Sequence, residues 1–302
     1  MFDLHRLRLL RELKHRGTLA AVAEALSYSP SSVSQQLSVL EKEVGVPLLE
    51  PVGRRVRLTE QGEILVAHTE AVLERLEQAR AEVAGSLTGL TGTLRLAAFQ
   101  TAALTLIPPA LTLLRAAHPA LRVHVTEAEP EAALPALRAR DFDLVVAEEY
   151  PGHPHPRHPE LEAVDLSQDT LRLAPPVGAG EGPAGTPADH PWVMEPEGTP
   201  ARRWAMALCR DAGWEPDVRY ESTDMLLHLR LVEQGHAAAL LPDLLWCGRK
   251  PTVPLLELPG GRRSRRLFTV VRGGSSRHPA VRACREALAR AAKDLDRPAG
   301  DG

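Results

Sequence analysis

The sequence has few cysteines, no preponderance of either charge, no convincing membrane-length apolar run and none of the compact motifs that mark common enzyme chemistries. Three cysteines in 302 residues, Cys209, Cys247 and Cys284, are too few and too scattered for a disulfide framework or a zinc knuckle, whose ligands come in pairs about two to four residues apart. Such usage suits a reducing cytoplasm. Basic and acidic side chains number 36 and 39, a formal charge of −3, which excludes a uniformly basic protein that coats nucleic acid. From Met1 to Gly17 apolar and basic residues alternate, unlike the continuous apolar segment and small-residue cleavage site of a secretory signal. One stretch of 19 uncharged residues lies between Arg95 and Arg115, but it contains Gln100, three threonines and Pro108-Pro109. It therefore reads as strand, turn and buried helix rather than as a membrane span. No G-x-S-x-G elbow, phosphate loop or H-E-x-x-H pair occurs, so catalytic residues, a resident metal and a cofactor have no sequence handle.

At about 150 residues per domain the length predicts about two domains, and the pattern divides the chain into three parts. Leu4, Leu7, Leu10 and Leu13 recur at helical spacing between Asp3, an N-cap, and Gly17, a stop. A short alanine-rich helix from Leu19 to Leu26 follows Thr18. A third helix opens with Ser29 as cap and Pro30 in the first turn, and buries Val33, Leu37, Leu40 and Val44. Ser31, Gln35, Ser38 and Lys42 then point the opposite way, with Ser32 and Ser34 flanking. Beyond Gly45, two short strands surround Gly53-Arg54-Arg55, a hairpin with a basic tip. Residues 1–58 carry a charge of +3, leaving −6 for the remainder. A long helix from Thr59 to Leu87 carries an apolar stripe of Leu65, Val72, Leu76, Ala79, Val83 and Leu87, which needs a partner and predicts dimerisation.

After the linker Gly85 to Gly92, strand-like runs (Leu94–Ala98, Leu121–Glu127, Leu144–Ala147, Ala237–Leu241, Leu267–Arg272) alternate with helix-like ones (Pro109–His118, Ala132–Arg140, Ala201–Ala212, Thr223–Gln234, Pro279–Ala292). This predicts an α/β layer structure with mainly parallel strands. Tyr150–Pro159 and Ala174–Pro191 read as loops.

A helix-turn-helix places a short-chained polar helix face in the major groove while basic residues neutralise phosphates. Ser31, Ser34, Gln35 and Ser38 suit base edges, and Lys42, Arg54, Arg55 and Arg57 suit the backbone and the adjoining minor groove. The bland alternative is a solvated helix face. The run from Thr18 to Leu73, with its alanine-rich second helix, serine-rich third helix ending Leu40-Glu41, Gly45-Val46-Pro47-Leu48, and Leu58-Thr59 with Gly62, resembles the winged helix-turn-helix of LysR-type transcriptional regulators. Weaker echoes follow at His118-Pro119, Asp141-Phe142-Asp143-Leu144, Gly235-His236 and His278-Pro279-Ala280-Val281.

The resemblance implies an α/β chain with a winged helix-turn-helix over residues 1–58, a dimerising linker helix and hinge over 59–92, and a two-lobed effector domain over 93–302 of periplasmic-binding-protein type. Lobe I would comprise 93–165 and 268–302, and lobe II 166–267. Implied partners are double-stranded operator DNA, a small-molecule effector, a second copy with further assembly to a tetramer, and RNA polymerase; no membrane is implied, and the setting is the cytoplasm.

In open α/β domains ligands sit beyond strand carboxyl ends and against helix N-termini. Those places here are Gln100 and Thr101, Gly198 and Thr199, Thr223, and Glu148 beside Glu149, each weighed against simple capping or a solvated loop. Two carboxylates near a cleft favour a cationic or hydroxyl-rich effector unless Arg202 or Arg203 compensates. His153, His155 and His158 read as an extended loop rather than a metal site, and Cys209 and Cys284 as small core residues rather than peroxide sensors. Two rivals remain at this point: a small-molecule-binding protein with a relic head, and an enzyme of the α/β cleft.

Overall fold

The computed structural model describes residues 2–26, 28–53, 55–86, 89–178, 189–246 and 249–295, with only the backbone of Arg55. Its first unit has α1 (Leu4–Arg16), α2 (Leu19–Leu26), α3 (Pro30–Val44), and strands β1 (Leu49–Val52) and β2 (Arg55–Leu58) paired antiparallel. The Asp3 carboxylate accepts from the His5 and Arg6 N–H groups at 2.8 and 3.2 Å, and Gly17 closes α1 at φ 76°. Leu9, Leu10, Leu13, Val22, Val33, Leu37, Leu40 and Leu48 form one buried cluster. Of the apolar stripe predicted on α3, Val44 is only partly buried.

The long helix α4 (Glu60–Gly85) starts from the Thr59 cap. A Cβ on Gly62 would lie 2.4 Å from the Leu48 carbonyl, so glycine there lets α4 meet the base of the wing. Two apolar faces run along this helix. Val66, Leu73 and Ala81 are buried with Thr69 and Glu77, whereas Val72, Leu76 and Val83 of the predicted stripe are 47, 41 and 66% exposed. Leu87 lies outside the described residues.

The third unit centres on a six-stranded sheet of order β4-β3-β5-β10-β6-β9: β4 (Leu121–Glu127), β3 (Gly92–Ala98), β5 (Leu144–Glu149), β10 (Arg263–Arg272), β6 (Leu161–Ala174) and β9 (Ala239–Pro242). Strand β3 runs parallel to β4 and β5, but β10 is antiparallel to both β5 and β6, and β6 to β9. The expectation of mainly parallel strands thus fails at the centre. Strand β6 has 14 residues and was absent from the predicted elements; its charged first half, with no clean alternation, conceals it. The sheet is covered on one face by α6 (Ile107–Ala117) and α10 (Pro279–Leu295), and on the other by α7 (Pro130–Arg138). Short helix α5 (Gln100–Thr105) follows β3.

A smaller lobe adds the parallel pair β7 (Pro191–Met194) and β8 (Asp217–Glu221) with α8 (Pro200–Asp211) and α9 (Met225–Glu233). The predicted loop at Ala174–Pro191 covers the end of β6 and the start of β7, and residues 179–188 fall outside the description. An ionic seam, buried at Glu77 and Arg11 and exposed at Asp141, joins the head and α4 to the larger lobe. Glu77 receives Arg140 and Arg272, Arg11 donates to the Arg138 carbonyl, and Arg16 meets Asp141 at 3.0 Å. Among the described residues no helix is long and apolar enough to cross a membrane.

Candidate nucleic-acid interface and inter-lobe cleft

On α3, Ser31, Ser34, Gln35, Ser38 and Lys42 are exposed, and Ser32 is half-buried. The Ser29 hydroxyl accepts from the Ser32 N–H at 3.1 Å and lies 3.0 Å from the Ser31 hydroxyl, so Ser31 and Ser32 take part in the cap as well as the outer face. Glu41 points into the fold: its Oε1 accepts from the Leu48 and Leu49 N–H groups at 2.8 and 3.1 Å and fixes the wing against α3. Sequence reasoning met Glu41 only as part of a family pattern. Its signal is an acid four residues before the Gly45 stop, one helical turn back from it.

The head's positive charge is more committed than its total suggests. Arg6 pairs with Glu43, Lys14 with Glu63, and Arg57 with Glu50 across the wing, while Arg11 and Arg16 face the larger lobe. Arg57, although paired with Glu50, keeps its side chain 73% exposed. Lys42 and Arg8 carry no ion pair among the described residues. Arg54, and the side chain of Arg55, lie outside the described residues.

In the third unit, Thr101 and Glu148 converge on a side chain missed from sequence, Arg265, which is 2% exposed. Arg265 donates to the Thr101 hydroxyl at 2.6 Å and to Asp169 at 2.9 Å, and it forms an ion pair with Glu148. Tyr150 donates to Glu148 at 3.2 Å, and the Arg265 guanidinium lies over the Phe99 ring at 5.1 Å. Burial opposes the Arg265 charge, but Glu148 and Asp169 outweigh it and raise its pKa well above the ordinary value. Glu148 is compensated by Arg265 and not by Arg202 or Arg203, the two weighed from sequence: Arg202 holds the Glu195 carbonyl and Glu221, and Arg203 the Gly198 carbonyl. Strand periodicity was the available clue, since Arg265 sits two residues before buried Leu267 on the same face of β10. The arginine-rich start of that strand, Arg263 to Arg266, lies outside the predicted run, which begins at Leu267.

Gln100 spans the lobes. Its Nε2 donates to Asp224 Oδ1 at 2.7 Å and its Oε1 accepts from the Met225 N–H at 2.7 Å. Thr223 is exposed just before that helix start. Gly198 has φ 88°, a conformation suited to glycine, and Thr199 caps α8, accepting from the Arg202 N–H at 3.2 Å while donating to the Pro196 carbonyl at 2.9 Å. Thus Thr101 and Glu148 share one cluster and Gln100 meets the neighbourhood of Thr223, but Gly198 and Thr199 make their recorded bonds within their own lobe. Two further acids face the cluster. Burial, reinforced by Glu148, pushes Glu129 up to about 7 and Glu195 up to about 9. Beside Glu195 a narrow cavity of about 30 Å³ is walled by Tyr150, Trp204, Met225 and His228.

His155 Nε2 lies 2.7 Å from the Glu148 carbonyl and His153 Nδ1 3.1 Å from that of Pro151; among the described residues no three potential ligands converge for a metal. Cys209 and Cys284 are buried and unbridged, and burial pushes both thiols up to about 12. Cys247 is outside the described residues.

A family model for bacterial regulatory helix-turn-helix proteins of the LysR family matches residues 4–63, and one for the LysR substrate binding domain matches 88–293. The chain belongs to the LysR family and is a DNA-binding transcriptional regulator, not an enzyme. A probable hydrogen peroxide-inducible genes activator of Mycobacterium avium is 28% identical, covering 91% of this chain and 90% of that protein. The transcriptional dual regulator GltC of Bacillus subtilis is 23% identical over 87 and 89%. Among solved structures, a full-length OxyR variant from Pseudomonas aeruginosa superposes with a TM-score of 0.66 at 19% identity, covering 100% of this chain and 99% of that one. Full-length CbnR in complex with its target DNA gives 0.51 at 23% identity, over 96 and 100%.

Proposed function

We propose that this regulator binds pseudo-palindromic operator DNA in the cytoplasm as a homodimer able to assemble to a tetramer, and that a small molecule between the lobes changes the spacing of its heads. Ser31, Ser34, Gln35 and Ser38 read base edges, Ser32 supports the start of that helix, and Lys42, Arg54 and Arg55 neutralise phosphates. The observation that carries this reading is the exposed, short-chained polar face of α3 beside the wing. The open stripe of Val72, Leu76 and Val83 on α4 supports pairing of two copies. Operator selection on random DNA tests the proposal. Gln35→Ala should lose about 1–3 kcal/mol of discrimination at one base pair, and Arg54→Ala with Arg55→Ala should weaken all sequences and flatten the salt dependence; absence of any selected sequence overturns it.

For the effector we assign Gln100, Thr101, Glu148, Gly198, Thr199 and Thr223 to the cleft. Because Glu148 is neutralised by Arg265, the acids that set ligand preference become Glu129 and Glu195; near neutrality Glu195 is protonated and Glu129 about half so, and the pair favours a hydroxyl-rich molecule over an anion. Thermal stabilisation by organic anions alone contradicts that preference. Peroxide sensing through Cys209 or Cys284 is disfavoured, since thiols titrating at about 12 supply little thiolate near neutrality. Operator binding by the Cys209→Ala, Cys284→Ala protein should respond to peroxide as the parent does.

A further inference from the structure

The head with α4 and the larger lobe are two bodies with separate cores that meet on a polar surface. The apolar cluster of the head runs from Leu7 to Val66, and those of the larger lobe take members only from Leu90 onward. Within the first body α1 is tied to α4 by Lys14–Glu63 at 2.7 Å and His15–Glu70 at 3.0 Å, so head and linker helix turn together. The second body receives α4 at Gly273-Gly274, in the turn between β10 and α10. A Cβ on Gly274 would lie 2.6 Å from the Glu74 carbonyl oxygen, and one on Gly273 2.9 Å from the Glu74 carboxylate, so only bare backbone lets the helix come this close. Beside this notch Glu77 accepts from Arg140 and Arg272, Arg11 donates to the Arg138 carbonyl, and Arg16 pairs with Asp141 at 3.0 Å.

Several features of this contact work against it. Arg140 has φ 71°, the one positive value outside glycine among the described residues, a left-handed conformation that an arginine adopts at a cost. From there its guanidinium holds Glu77, yet Arg140 Nε and Glu77 Oε2 are both buried with no hydrogen-bond partner among the described residues. Separation of the two bodies would give both atoms water. Burial chiefly lowers the Arg140 pKa, to about 10, and Arg272 of the lobe with Arg11 and Arg8 of the head lower it further against the pull of Glu77. Like charges from both bodies thus meet around Arg140. Arg16–Asp141 lies at the solvent edge, the Asp141 side chain being 46% exposed, and adds little. A polar joint of this kind between independent cores is weakly held. The faces used for DNA and for pairing lie elsewhere: Ser31, Gln35 and Ser38 on α3, and Val72, Leu76 and Val83 on α4, are exposed while the joint is closed.

We propose that this joint is a latch: the head and α4 dock reversibly on the larger lobe of their own chain, and release lets them swing away from it as one body. Closed, the latch fixes the direction in which α3 points. Open, it frees that direction without disturbing the base-reading face or the pairing stripe. A dimer with closed latches therefore accepts operators of one half-site spacing, and a dimer with open latches accepts several. That last consequence rests on the pseudo-palindromic reading above, whereas the latch itself does not.

Double electron–electron resonance on the full-length protein reads the latch directly. Cys247→Ser leaves Cys209 and Cys284, both buried, so spin labels go to Glu24→Cys on α2 and Glu286→Cys on α10, two exposed positions, in protein diluted into an excess of unlabelled parent. One narrow distance is expected. Arg140→Gly suits the left-handed backbone and takes the arginine off Glu77, while Asp141→Arg sets a like charge against Arg16 at an exposed position. Each should replace the narrow distance by a broader and longer distribution, with the greater loss in Arg140→Gly and the circular dichroism of the fold unchanged. In operator selection Arg140→Gly should recover half-sites at several spacings where the parent recovers one. The latch is overturned if the parent itself gives a broad distribution, or if neither variant loses the narrow distance. An opened variant that still selects a single spacing overturns its role in operator choice. The distance measurements need no DNA, so they hold or fail separately from the operator reading.

Discussion

The head and the inter-lobe cleft are organised in opposite ways. The head packs a continuous apolar cluster and turns its polar residues outward, so its chemistry is displayed on a surface whose shape the core fixes. The cleft region turns polar chemistry inward, around an arginine that touches Thr101, Glu148 and Asp169 and is almost fully enclosed. An apolar core tolerates the loss of a contact in proportion to its size. A buried ionic cluster does not, because removing one member leaves the others charged and unsolvated.

That contrast is sharpest for Arg265→Met, which we expect to destabilise the effector domain by about 3–5 kcal/mol in urea unfolding, with most of the loss recovered when Glu148→Gln and Asp169→Asn are added. A loss that the added substitutions leave unchanged would mean that Arg265 matters for packing rather than for charge. In the head, Leu37→Ala should cost about 2–5 kcal/mol, and no neighbouring polar substitution should rescue it.

A smaller effect separates the regions by pH. Glu195 titrates at about 9, above its unfolded value of 4.5, so its contribution to stability is full below the unfolded pKa and is lost as pH rises through the folded one. Glu195→Gln should therefore gain melting temperature over the parent progressively from about pH 5 to pH 9; a constant offset would break the link to ionisation. Smallest is Gln100→Ala, which removes both recorded bonds of that side chain to the opposite lobe at roughly 0.5–1.5 kcal/mol each. Faster hydrogen exchange at the Met225 amide, with the head unaffected, is the expected signature.

The same contrast explains what could be read from sequence. Caps, glycine stops and the apolar spacing of α1 to α3 are local, and they appear where their residues predict except at Leu4, which is exposed, and Val44, which is only partly buried. Gln100 and Thr101 stand out in the sequence because they follow a strand, and Glu148 because it lies at the carboxyl end of one. Their true partners do not, since Gln100 meets Asp224 at a separation of 124 residues and Thr101 meets Arg265 at 164. Strands β6 and β10 were missed or truncated for a related reason. Both place charged residues in extended segments whose burial depends on neighbours distant in the chain.

The anchoring of α4 at Glu77 has a mechanical consequence. Seventeen residues separate Glu77 from Glu60 at the base of the wing, a lever arm of about 26 Å at 1.5 Å per residue. A pivot of about 10° at that anchor displaces the wing by about 4.5 Å, slightly more than the roughly 3.4 Å rise of one base pair along a strand. The surface pair Arg16–Asp141, worth on the order of 1 kcal/mol or less in water, is a light brake on such a swing. Sub-ångström changes at the Glu77 joint are thus magnified into the units in which DNA counts.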